Sequence, residues 1–142
     1  MLDQIGSAHM KQGALTSFTS DRFGNANSAL ALNGGWTQVP SGVYFNTPQF
    51  TISVWIYPQQ VSGNYSRIID FGNGPAQDNV LFALTYGGNQ QPYFQMCPLT
   101  NPLSCMSKTT SSQKLTMNQW QFLVATFDGF NSRVYLNGQL TA

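Results

Sequence analysis

The chain has 142 residues, enough for one domain with a real core. Only 8% of them are Asp, Glu, Lys or Arg, against roughly 25% in an average soluble domain, and the net charge is +1. That balance lacks the Lys and Arg clusters that nucleic acid or an anionic membrane surface would need, and no apolar run approaches the roughly 18 residues of a membrane span. The segment Met1-Leu2-Asp3-Gln4-Ile5-Gly6 has neither the basic nor the apolar region of a secretory signal.

In chain order, the segment around His9 has a weak pattern and His9 reads as a solvated surface residue. A turn segment, Asp21-Arg-Phe-Gly-Asn-Ala-Asn-Ser28, comes next. Ala29-Leu-Ala-Leu32 is a short strand ending at the glycine turn Asn33-Gly34-Gly35, and Trp36-Thr-Gln-Val39 extends to Pro40. Val43-Tyr-Phe-Asn46 leads through Thr47-Pro48 to a long strand, Phe50 to Tyr57. There Phe50, Ile52, Val54 and Ile56 share one face and Thr51, Ser53, Trp55 and Tyr57 the other. The first face is core. The second carries two aromatics and two hydroxyls, which suits a sheet surface that is partly covered or meets a ligand.

Ser66-Arg-Ile-Ile-Asp-Phe71 and Asn79-Val-Leu-Phe-Ala-Leu-Thr-Tyr86 are the next strands, joined by a turn at Gly72-Asn-Gly-Pro75. Tyr93-Phe-Gln-Met96 and Gln113-Lys-Leu-Thr116 flank a cysteine loop. Asn118-Gln-Trp-Gln-Phe-Leu-Val-Ala-Thr-Phe-Asp-Gly129 and Arg133-Val-Tyr-Leu-Asn-Gly138 are rich in β-branched and aromatic residues. Asn137-Gly138 is the strongest short hairpin signal known, and the four residues after it begin a return strand that reads as uncompleted. With some nine short strands, frequent turn signals and no helical period, the prediction is one all-β domain over 1–142, an antiparallel β-sandwich incomplete at its C-terminal end.

The chain contains no glutamate, and its five carboxylates are Asp3, Asp21, Asp70, Asp78 and Asp128. No two lie close enough in sequence to share a face of one strand. Asp70 with Asp78 is the only conceivable catalytic pair, and both read better as strand-end Asx residues that satisfy backbone groups. A Ser-His-Asp arrangement has only His9 to draw on. Cys97 and Cys105 enclose a short loop with two prolines. With no further Cys or His at ligand spacing, they form a local disulfide or remain two idle thiols, and the disulfide is the preferred reading. It implies an oxidising compartment. Asn64-Tyr65-Ser66 is a glycosylation sequon at Asn64.

Phe50-Thr-Ile-Ser-Val-Trp-Ile56, Arg67-Ile-Ile-Asp-Phe-Gly72, Gln119 to Gly129 and Arg133-Val-Tyr-Leu-Asn-Gly138, in that order and spacing, resemble the laminin-G-like, concanavalin A-like jelly-roll superfamily. Asp21-Arg-Phe-Gly24 followed by Ser28-Ala-Leu-Ala-Leu-Asn-Gly34 resembles its entry motif. The resemblance implies a jelly-roll sandwich, with further closing strands after the hairpin, in an extracellular or cell-surface module of a longer protein. It also implies that calcium at the sandwich rim is possible, near Asp70, Asp78 and Asn79, although no family calcium motif is matched residue by residue. Members include lectins, protein-binding modules and glycoside hydrolases.

The functional expectation is a recognition module without catalysis, with carbohydrate slightly ahead of an extracellular protein as ligand. Trp55, Tyr57, Arg67, Asp70, Asn73 and Tyr93 are the candidate ligand residues, aromatic faces for stacking ringed by polar groups for hydroxyls. The alternatives are an adhesion or spacer domain in which these aromatics only pack and, more remotely, a glycoside hydrolase of the same fold.

Overall fold

The computed structural model describes residues 1–61, 63–72, 80–97, 105 and 107–142. These form two compact units, Met1–Asn46 and Thr47–Ala142. Among the described residues there is no helix, and so none long and apolar enough to cross a membrane.

The first unit holds two small antiparallel pairs. Strand β1 (Lys11–Gln12) pairs with β4 (Thr37–Gln38), and β2 (Thr16–Thr19) pairs with β3 (Ala29–Leu32). Between β2 and β3, Asp21 fixes the anticipated turn: its Oδ1 accepts the backbone N–H groups of Phe23 and Asn25 at 2.9 Å each. Gly13 cannot be replaced without movement, because a Cβ there would lie 1.9 Å from the carbonyl oxygen of Trp36. His9 is exposed, as expected, and its Nδ1 accepts the Asp3 backbone N–H.

The second unit is built from two four-stranded antiparallel sheets. One has the order β12-β11-β10-β5, from Phe50–Ile56 (β5), Gln121–Phe127 (β10), Ser132–Leu136 (β11) and Gln139–Leu140 (β12). The other has the order β6-β7-β8-β9, from Arg67–Phe71 (β6), Val80–Ala83 (β7), Tyr93–Met96 (β8) and Ser107–Thr110 (β9). The period-two alternation fixes which faces meet. Leu123, Ala125 and Phe127 of β10 are buried and lie in register with Val54, Ile52 and Phe50 of β5, and with Leu136, Val134 and Ser132 of β11. From the second sheet, Phe94 sets its ring 6.2 Å from that of Phe50 and 6.0 Å from that of Phe82, both edge to face. Ser132 and Ser107 hydroxyls also meet across the gap. This is the face-to-face packing of a β-sandwich.

The β5 inner residues Phe50, Ile52, Val54 and Ile56 point to the core as read from the sequence, but they are only half-buried, since β5 ends the strand order of its sheet. The Asn137-Gly138 hairpin is present. Both residues have positive φ, 51° and 83°, the mirror-image turn that matches strand twist, and Leu136 faces Gln139 across it. Beyond it Thr141 is buried, with its N–H and hydroxyl both donating to Val134 O at 2.8 and 3.0 Å. Its own carbonyl accepts the Ser112 N–H and hydroxyl.

Two expectations are corrected. Gln113 to Thr116 is not a strand; the partner of β8 is Ser107–Thr110. The Ser111 hydroxyl bends the chain by bonding both the N–H and the carbonyl of Gln113, Leu115 is buried with its N–H on Gln90 O, and the Gln121 amide takes both backbone groups of Thr116. Those groups are satisfied without a ladder. The weakly patterned N-terminal region contributes β1 and β2, and the described residues hold twelve strands where some nine were expected.

Candidate functional site

The two sheets turn their outer faces in opposite directions, and the residues singled out from the sequence divide between them. Trp55 and Tyr57 stand on the outer face of the β5 sheet. Arg67, Asp70 and Tyr93 stand on the outer face of the β6–β9 sheet, in the rows that contain Ala83 and Leu81. Asn73, and with it Asp78 and Asn79 of the calcium set, lie outside the described residues.

On the β6–β9 side, Tyr93 is buried beneath two exposed tyrosines. Its ring stacks on Tyr86 at 4.7 Å and 27°, and Tyr65 lies 5.9 Å away. Burial pushes the Tyr93 phenol up to about 12, with the neighbouring Tyr65 and Tyr86 adding to the shift, so it stays neutral and donates to Gln95 Oε1 at 2.6 Å. The Gln95 amide in turn donates to Sγ of Cys97, which is joined to Cys105 by a disulfide. Of the two readings of the cysteines, the bridge is the one observed. Arg67 and Asp70 form an ion pair at 2.5 Å, so the one described residue of the calcium set already has a full counter-charge on its carboxylate. Among the described residues, no three His, Cys, Asp or Glu side chains converge on a point. Asn64 of the sequon is exposed, in a bend whose carbonyl accepts the Gly87 N–H.

The β5 side is different in kind. Register places Trp55 opposite Phe122, and their rings are 5.1 Å apart at 32°. One row further along, Tyr57 meets Trp120 at 5.5 Å. Trp55 is 42% and Tyr57 43% exposed, large apolar rings presented to water at the surface of a sheet. The Asn118 N–H, donated to Pro58 O at 2.8 Å, ties the end of β5 to the start of β10 and so fixes the second pair. Asn137 Oδ1 accepts the Phe122 N–H at 2.9 Å and sets the hairpin turn beside the first pair. Successive rows on one face of a strand are separated by roughly 6.6 Å, so the two aromatic pairs form a short ladder running along the strands.

Phe122 and Trp120 are members of this surface that were read from the sequence only as strand residues. The signal was there: Phe122, Val124 and Thr126 alternate with the buried Leu123, Ala125 and Phe127. Finding the contact required the β5–β10 register, which puts Trp55 rather than Ser53 against Phe122.

Down the same face the rows become polar: Ser53 beside Val124 and Tyr135, then Thr51 beside Thr126 and Arg133. At that end Asp128 accepts the backbone N–H groups of Asn131 and Phe130 on one carboxylate oxygen and Arg133 on the other, at 2.7 Å. These bonds, the Asn131 N–H first, hold its carboxyl down at about 2. Asp3 and Asp21 are also lowered, through the Gly6 backbone N–H and the Asn25 side chain respectively.

The family described as the Concanavalin A-like lectin/glucanases superfamily matches the chain over residues 32–142. No curated protein and no solved structure matches it.

Proposed function

The chain belongs to the concanavalin A-like lectin/glucanases superfamily, and from that premise we propose that it is a recognition module that binds carbohydrate on the outer face of its β5 sheet and does not catalyse. The observation that carries this reading is the exposed ladder of Trp55 on Phe122 and Tyr57 on Trp120. Flat aromatic faces at a sheet surface suit the apolar C–H faces of pyranose rings, while hydroxyls and amides beside them suit the sugar edges. Exposed aromatic rings in a contiguous group mark an interaction surface more often than isolated ones do. The disulfide fits an oxidising, extracellular setting, and Asn64 is an accessible place for a glycan of the protein's own.

Against hydrolysis stands the chemistry of the carboxylates. A glycosidase needs one carboxylic acid held protonated near neutrality beside a second, ionised one. Here Asp3, Asp21 and Asp128 are all shifted downward, and Asp70 is tied to Arg67. The test is tryptophan fluorescence of the full chain titrated with neutral polysaccharides, followed by Trp55→Ala. Saturable quenching that weakens about tenfold or more in the variant is the expected result. No response to any sugar, with Trp55→Ala instead abolishing capture of a protein ligand, would reassign the face to protein recognition. Hydrolysis lost in Asp70→Asn would make the module an enzyme.

A further inference from the structure

The recess at the far end of the β5–β10 face has no part in the aromatic ladder, yet it lies on the same surface. It is shallow, with a volume of about 340 Å³, and is lined by the polar residues Gln49, Thr51, Thr126, Asp128 and Arg133 together with Phe50 and Phe127. Its charges cancel. Arg133 gives one nitrogen to Asp128 and has further N–H donors to offer, and both side chains are roughly two-fifths exposed. Among the described residues the Thr51 and Thr126 hydroxyls have no hydrogen-bond partner, and the register sets them side by side. The Asp128-Gly129-Phe130-Asn131 turn rises next to the recess and leaves Phe130 87% exposed.

This is a poor site for an anion, because the guanidinium already has a carboxylate, and an equally poor one for a cation. It suits a group that both donates and accepts without charge, which is the property of a sugar hydroxyl pair. From Thr51 to Trp55 is four residues and to Tyr57 six, so the ladder begins roughly 13 Å from the recess and ends roughly 20 Å from it, a total span of about four pyranose rings. Between them lie the small Ser53 of β5 and the half-buried Val124 of β10, with Tyr135 of β11 beside them. We propose that ladder and recess are the two ends of one track, and that its ligand is an uncharged, unbranched polysaccharide lying along β5 and β10 with a sugar held by Arg133, Thr51 and Thr126. This rests on the carbohydrate reading of the ladder and adds to it a ligand length, a path and a charge.

The experiment is calorimetric titration of the full chain with neutral linear gluco-oligosaccharides, β-1,4- and β-1,3-linked, from two to six units. Affinity should climb with length until the ligand spans the face and then level off. Arg133→Met should remove about tenfold of the affinity for the longest ligands and leave the disaccharide unaffected. Thr51→Val, an exposed substitution on β5 that removes no bond of the Asp128 turn, should act in the same sense and keeps the test informative if Arg133→Met fails to fold. An affinity that levels off at two units, untouched by either variant yet lost in Trp55→Ala, would overturn the track and leave the ladder reading standing. Failure of every oligosaccharide to bind the unaltered chain, while a sulfated or carboxylated glycan binds, would overturn the track and its uncharged ligand together.

Discussion

Asp128 shows at the scale of one residue how a chain with few charges uses them. It stands at the end of β10, where the strand must reverse within four residues, and it satisfies two turn N–H groups while pairing with Arg133. Its folded-state pKa of about 2 is below its ordinary 3.8, so folding favours the ionised form. The stabilisation it brings is therefore complete above the unfolded value and is lost as pH falls from about 4 through about 2. Comparing thermal unfolding of the unaltered chain with Asp128→Ala should show a gap in midpoint at pH 6 that closes toward pH 2. Asp3 and Asp21 share the direction of the shift, but they are common to both proteins and cancel in the difference. A gap that stays constant over that range would show that the turn is held by something other than the carboxylate.

At the scale of elements, the sandwich depends on how β8 fills the space between sheets. Phe94 is fully buried and meets Phe82 in its own sheet and Phe50 from the other. Phe94→Ala removes both ring contacts and leaves a hole under Phe50, which should cost about 3–5 kcal/mol in urea unfolding. A loss below about 1 kcal/mol would mean that the neighbouring rings collapse into the space. The inward pointing of this strand was legible in the residues only in part. Tyr93-Phe-Gln-Met96 gave its own limits, because β-branched and aromatic runs mark strands well. Which face of it turned inward was not legible, since Tyr93 and Phe94 are both buried, one under tyrosines and the other against phenylalanines. The run from Gln113 to Thr116 misled for the opposite reason: its alternation is that of a strand, but side chains of Ser111 and Gln121 take its backbone bonds. Such local competition from neighbouring side chains leaves no trace in the alternation itself. The candidate surface divides in the same way. Trp55 and Tyr57 were readable from alternation, whereas their partners Phe122 and Trp120 depended on register.

At the scale of the whole molecule, the low charge read from the sequence also constrains how this surface recognises a ligand. With six basic and five acidic residues, the protein projects little long-range field, and among the described residues the ion pairs Arg67–Asp70 and Arg133–Asp128 neutralise themselves locally. Binding by stacking and neutral hydrogen bonds then has little for salt to screen, because the Debye length governs only interactions between charges. Raising sodium chloride from about 0.05 to 0.5 M should accordingly change the dissociation constant of a neutral polysaccharide by less than about twofold, whereas a ligand held through ion pairs would weaken by tenfold or more over that interval. Trp fluorescence titrations at the two salt concentrations make the measurement. A steep salt dependence would mean that the dominant contacts are with Lys and Arg side chains, and the aromatic face of β5 and β10 would cease to be the site.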